Sequence, residues 1–223
     1  MTASVRYYKH MVKLKIAFVV GLFLTLATFA FAQDRFELSG VYSYLHFDPT
    51  VAGTGALNFN AGGGGGIGLN FLALFGLKAE FIGYSSTTFT KTFPVPVIVP
   101  GGVIPAGTYT AQGNMYTALA GPVIRIPIPK VKPFGEALFG ISGSNGYTNL
   151  NKSVVAVGGP SLNIRSEHPF TMAIGGGVDI SVSNRVSIRP VEADYVLTLF
   201  NNPLTRTNQQ NNFRYCGGIV LKF

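Results

Sequence analysis

Few residues in this chain could do chemistry. It carries three histidines, one cysteine and no tryptophan. Gly63, Gly65 and Gly68 reproduce the spacing with which a strand-to-helix turn brings backbone N–H groups to a dinucleotide pyrophosphate. That chemistry also needs a helix directly after the glycines and an acidic residue about twenty positions on. These glycines lie inside an alternating run, no helical pattern follows, and no acid stands at that distance. They are read as small-residue packing.

The histidines are His10, His46 and His168. His46 stands near Asp48 at a strand end, where a lipid-directed enzyme could keep its general base. His168 follows Glu167, with Ser161 and Ser166 nearby. Neither group has a nucleophile–base spacing that assigns a reaction, so both histidines are read as strand-end or loop residues. The histidines and Cys216 offer no metal-ligand spacing. No catalytic residue, metal or cofactor is therefore expected. Cys216, the only cysteine, cannot form an internal disulfide.

More chemistry resides in eleven charged residues spaced along apolar runs: Glu37, Lys78, Glu80, Arg125, Glu136, Asp179, Arg189, Glu192, Asp194, Arg214 and Lys222. Six acids and five bases nearly cancel, as an interior ion-pair network requires. What such residues do depends on the elements that hold them.

The first segment is read as an export leader. Lys9, Lys13 and Lys15 precede the apolar stretch 16–26, and Ala30-Phe31-Ala32 ends it in a small-x-small cleavage pattern before Gln33. Residues 1–32 are thus expected to be a signal peptide, with Met1 or Met11 as its start, and residues 33–223 the mature domain. With Arg6 and those three lysines removed, 13 of the 17 basic residues remain against nine acidic ones. The sequence pI of 9.7 overstates the basicity of that domain, and no Lys/Arg cluster points to nucleic acid.

From Arg35 onward the chain reads as eight alternating runs and shows no convincing helical period. They are about Phe36–Phe47, Leu57–Phe71, Leu77–Thr88, Tyr109–Ile126, Phe134–Ser144, Phe170–Val182, Val186–Phe200 and Phe213–Phe223. The last is 11 residues long, within the ~9–11 a tilted strand needs to cross a bilayer. The run over Val186–Phe200 changes phase near Pro190, which predicts a bulge. In the first run Val41 and Leu45 share the face of Glu37, Ser39 and Ser43.

Connections alternate in length. Those around Leu72–Gly76, Pro127–Pro133 and Ser183–Arg185 are short; Asp48–Ala56, Phe89–Thr108, Asn145–Pro169 and Asn201–Asn211 are longer. Short periplasmic turns and long outer loops produce this pattern in an outer-membrane barrel. The segment Phe89–Thr108 is apolar and proline-rich, and reads as a projecting hairpin around Pro100-Gly101-Gly102.

Charge decides which face meets lipid. An outward Arg or Lys at mid-membrane costs ~2–4 kcal/mol, so the charged faces must point inward. Gly62, Gly64, Gly66 and Gly68 share a face with Asn58, Asn60 and Asn70, and Gly175 and Gly177 share one with Asp179. Inward glycines leave room for long charged chains. Phe36, Phe47, Phe71, Phe134, Phe170, Phe200 and Phe223 gather near run ends, as interfacial girdles do.

The opening ELSGVYSYLHF, the central PFGEALFG and GGGVDISVS, and the last strand ending on Phe223 resemble the eight-stranded bacterial outer-membrane barrels, the OmpA/OmpX-like transmembrane domain group, over about Asp34–Phe223. The resemblance implies an all-β, antiparallel, up-and-down transmembrane barrel in the outer membrane, with Phe223 as a signal to the barrel assembly machinery. No peptidoglycan-binding domain follows, so wall anchoring by that route is not expected. The expected role is structural, surface-exposed or narrow-pore, without catalysis. The alternatives are a small-solute or ion channel and a lipid-modifying enzyme or adhesin. Expected partners are outer-membrane lipids, lipopolysaccharide and, through the long loops, an extracellular partner. The barrel is expected to be a monomer.

Overall fold

The computed structural model describes residues 36–47, 57–99, 102–161, 168–199 and 209–223. The expected leader and cleavage site, Asp48, and the tip at Pro100-Gly101 lie outside these residues.

Among the described residues ten strands form: β1 Phe36–Phe47, β2 Leu57–Asn70, β3 Phe75–Phe93, β4 Val97–Val99, β5 Gly102–Ile104, β6 Gly107–Arg125, β7 Val131–Ser144, β8 Phe170–Ser181, β9 Val186–Thr198 and β10 Gln210–Lys222. Eight close into an antiparallel barrel in the order β1-β10-β9-β8-β7-β6-β3-β2, and β4 pairs with β5 alone. Each barrel strand is joined to its sequence neighbour, and β10 closes on β1 from Glu37↔Lys222 to His46↔Phe213. Closure removes the free edges that an open sheet would expose inside a bilayer.

Side chains alternate as period-two strands require. On β10, Arg214, Cys216, Val220 and Lys222 are buried in the lumen, whereas Phe213, Tyr215, Ile219 and Leu221 face outward. Exposed apolar residues such as Leu38, Ile67, Phe81, Ile174 and Ile188 continue this belt around the barrel. Aromatic pairs occur toward both ends, Phe36 with Phe223 and Tyr195 with Phe213.

Three bulges reverse the facing of the residues beyond them. In β9, Cys216↔Glu192 and Gly218↔Arg189 place one extra residue at Pro190–Val191. Proline suits this place because it lacks the N–H that a regular ladder would use. In β2, an extra residue at Asn60–Ala61 turns Phe59 inward and leaves Asn60 exposed. The face expected for Gly62–Gly68 therefore does not extend to Asn60. In β3 the extra residue lies at Ser85–Ser86.

Two long connections are more ordered than their sequence suggests. Much of Phe89–Thr108 is strand: β3 and β6 remain paired to Phe93↔Gly107, and the small β4–β5 hairpin caps them. By contrast, β6 pairs with β7 only as far as Met115↔Ser144. The β3–β6 ribbon thus extends eight residues beyond Met115 along β6, about 25 Å at ~3.3 Å per residue. Within Asn145–Pro169, residues Gly146–Ala156 form a helix, α1. Its β-branched Val154 and Val155 and the lack of a capping box after Asn145, whose side chain makes no cap bond, hide it from a local reading; contacts with β6 stabilise it instead.

Candidate functional site: a filled lumen and a projecting arm

At the short-turn end, Arg125 reaches Glu37 at 2.8 Å and Asn70 at 2.7 Å, and Asn70 donates to Glu37 at 3.0 Å. Lys222 donates to Ser187 at 2.7 Å. Phe134 lies between two guanidinium groups, 4.4 Å from Arg189 and 6.0 Å from Arg125, in cation–π geometry. Phe134 is therefore a lumen residue, not part of an interfacial girdle. Its alternation with Glu136, two positions on, carried that information.

At mid-barrel the charges converge. The Lys78 ammonium lies 2.9 Å from Glu80, 3.0 Å from Glu136 and 3.1 Å from Glu192. Arg214 pairs with Glu80 and with Asp194, the latter at 2.7 Å, and lies 3.6 Å from Glu192. Arg189 binds Asp179 at 2.7 Å and Glu192 at 2.6 Å. All eleven charged side chains are buried. Lys78, Glu80, Glu136, Glu192, Asp194, Arg189, Asp179 and Arg214 form one connected network, while Arg125–Glu37 and Lys222 stand below it. Glu80, Glu136 and Glu192 each place an oxygen within 4.8 Å of the others, a set that could hold a metal ion. The Lys78 ammonium bonds to all three and so supplies the positive charge itself.

The glycines make this density possible. A side chain at Gly68 would press on Glu37, one at Gly175 would strike Asp194, and one at Gly62 would strike the Tyr84 ring. The fingerprint-like glycines lie within β2, paired with β1 and β3. No phosphate-binding turn is formed there.

Toward the long loops the lining becomes apolar. Leu45, Phe59, Ile82, Tyr84, Met115 and Cys216 pack as one cluster, and Leu119, Leu138, Ala173 and Val196 as another. Leu45, Ile82 and Leu138 have no exposed surface. This layer was not singled out from the sequence, although parity showed it: Ile82 and Tyr84 continue the alternate positions of Lys78 and Glu80. Ser43 joins the layer through Tyr84 at 3.0 Å and Cys216 at 3.3 Å. Thr117 interrupts it between Leu119 and Met115, and above it Ser142, Thr171, Thr198 and Gln210 supply neutral polar side chains.

The arm has two faces. On its inner face, Ile104, Tyr109 and Ala111 pack against Leu150 and Val154 of α1. The helix also covers the edge of β6 that β7 has left. Asn145 accepts from the Asn114 N–H at 2.9 Å, Asn149 donates to the Gln112 carbonyl at 2.8 Å, and Ser153 donates to the Thr110 carbonyl at 3.0 Å. Four helical residues rise ~6 Å and two strand residues ~6.8 Å, so positions 145, 149 and 153 match 114, 112 and 110. At the tip, Ile98 is 86% exposed.

The remaining reactive candidates are dispersed. His168 shares a 2.7 Å hydrogen bond with the Tyr116 hydroxyl on the outside of the barrel, and His46 stands at the far end of β1. Asp48, Ser166 and Glu167 lie outside the described residues, and Ser161 is exposed. Phe223 exchanges backbone hydrogen bonds with Phe36, at 2.9 and 3.2 Å.

An apolar belt outside, a charge-filled lumen and eight closed strands define a transmembrane β-barrel of the bacterial outer-membrane type. The fold is similar to that of Neisserial surface protein A, with 12% identity, a TM-score of 0.52 and coverage of 84% of this chain and 97% of that one. OprG of Pseudomonas aeruginosa aligns at 11% identity and TM-score 0.49, over 86% of this chain and 97% of that one. No protein-family model and no curated protein matches the chain.

Proposed function

We propose that this protein is a structural, surface-exposed barrel of the outer membrane, closed to solutes and without catalytic activity, which presents the β3–β6 arm and α1 to the exterior. The filled lumen carries this reading. Eight strands enclose a space just wide enough for side chains, and here Arg214, Arg189, Glu192, Leu45, Ile82 and Leu138 occupy it. Solute passage would require breaking the three contacts of Lys78 and displacing the apolar layer beyond them. Ion conductance should accordingly be small and intermittent at most. Liposomes containing the purified protein should not swell in disaccharide solution, and planar bilayers should show no large steady openings. Reproducible porin-sized conductance from the monomer would overturn the proposal.

A further inference from the structure

The outward face of the arm continues the lipid-facing side of the same two strands. On β6 the outward side chains run Ile124, Pro122, Ala120, Ala118 and Tyr116, then change to Asn114, Gln112, Thr110 and Thr108. On β3, Leu77, Ala79, Phe81 and Gly83 give way, past the bulge at Ser85–Ser86, to Thr88, Thr90 and Thr92. Both changes occur at the level of Tyr84↔Met115, where the neighbouring strands also stop pairing with this ribbon. Below that level the surface suits hydrocarbon; above it, the surface offers hydroxyl and amide groups.

The hydroxyls are ordered. Thr90 and Thr110 approach to 3.3 Å, and Thr92 and Thr108 to 3.1 Å, in directly opposed pairs. Thr88, Thr90, Thr92, Thr108, Thr110 and Gln112 are all exposed; of the neighbouring cations, Lys91 is buried on the opposite face and the exposed Lys152 belongs to α1 beside the β6 edge, not to this face. A site for phosphate would use Lys or Arg, and a protein-binding face would carry an aromatic or arginine anchor at its centre. This face has neither.

Resting on the outer-membrane reading of its function, we propose that this threonine face docks the saccharide part of the lipopolysaccharide surrounding the barrel. Core sugar is the layer met above the acyl chains and phosphorylated headgroup of that leaflet, at the height to which the arm projects. Each threonine hydroxyl can both donate to and accept from a sugar hydroxyl, and two opposed rows on a paired ribbon hold those groups without further ordering. The helix on the inner face keeps the ribbon rigid while leaving this face open.

The test uses the full chain in nanodiscs and in detergent, with two probes: lipopolysaccharide carrying a complete core oligosaccharide, and lipid A carrying no core. Wild-type protein should bind the complete form about tenfold more tightly, equivalent to two or three net hydrogen bonds. Changing Thr90, Thr92, Thr108 and Thr110 together to Val should abolish that preference and leave binding of lipid A unchanged. The corresponding Ser variant should retain it. Equal binding of the two forms by wild type, or a preference that survives in the Val variant, would overturn the proposal. A spin label on Thr88→Cys provides a second measurement, since Cys216 is buried. Its exposure to a water-soluble relaxation agent should fall in complete-core nanodiscs relative to lipid A nanodiscs. Unchanged exposure, or dipolar coupling between labels on two copies, would count against saccharide docking. Failure to enter either bilayer would refute the membrane reading itself; entry without discrimination would refute only the docking.

Discussion

Arg189 and Glu192 are three residues apart on one strand, yet both point into the lumen and meet at 2.6 Å. Strict alternation would send one of them to lipid. The extra residue at Pro190–Val191 reverses the phase between them, so Ser187 and Arg189 face inward on one side of the bulge and Glu192, Asp194 and Val196 on the other.

Deleting Pro190 should therefore be tolerated better than its neighbours' deletion. Without the extra residue, Arg189 and Glu192 stand two positions apart, and a regular strand keeps both on the lumen face. Deleting the exposed Ala193 instead makes Glu192 and Asp194 adjacent and must turn one of them to lipid; breaking a buried pair costs about 3–5 kcal/mol. Urea unfolding followed by heat-modified electrophoretic mobility should show a loss of that size for the Ala193 deletion and a much smaller one for the Pro190 deletion; equal losses would contradict the bulge assignment.

Lys78 lies within 3.1 Å of Glu80, Glu136 and Glu192, closer than Arg214 comes to Glu136 and Glu192, at 3.9 and 3.6 Å. Changing it to Met should destabilise the barrel by about 3–5 kcal/mol, because three buried carboxylates lose their nearest shared cation. Calcium favours such oxygen ligands. Refolding with calcium should restore part of the lost stability in this variant and have no comparable effect on wild type, as read from urea midpoints with and without chelator.

Glu136→Leu tests the same network from the acidic side. It removes the carboxylate that lies 3.0 Å from Lys78, and the midpoint in urea should fall, by less than for Lys78→Met because Lys78 keeps Glu80 and Glu192. An unchanged midpoint would mean that Glu136 contributes nothing to holding Lys78.

Deletion of Phe223 should impair assembly far more than deletion of one residue in 201–208. The terminal residue bonds Phe36 in both directions across the closing seam. Equal yields of protease-resistant, heat-modifiable barrel from the two deletions would remove Phe223 from this role.

The arm should loosen independently of the barrel. Asn149→Ala with Ser153→Ala removes two side-chain bonds to the β6 edge, each worth ~0.5–1.5 kcal/mol. Limited proteolysis should then cut near 107–114 while the barrel keeps its urea midpoint. Unaltered protease resistance would show that packing of Leu150 and Val154 suffices.

The sequence by itself determined how many strands the barrel has and, between bulges, which side chains share a face. Those properties depend on a period of two and on short connections, both local. Bulges could be read only in part: Pro190 marks one, because its ring forbids a ladder hydrogen bond, whereas Asn60–Ala61 carries no such mark and the inward turn of Phe59 went unseen. The tertiary structure decided which charges meet. Lys78 and Glu192 are 114 positions apart, and Arg214 and Glu80 are 134 apart; only closure and register place them around one point. It also decided the helix. The sequence of α1 has weak helical preference, but the β6 edge left by β7 presents unmet carbonyls at a repeat that Asn149 and Ser153 can match, and that match exists only after the ribbon has formed.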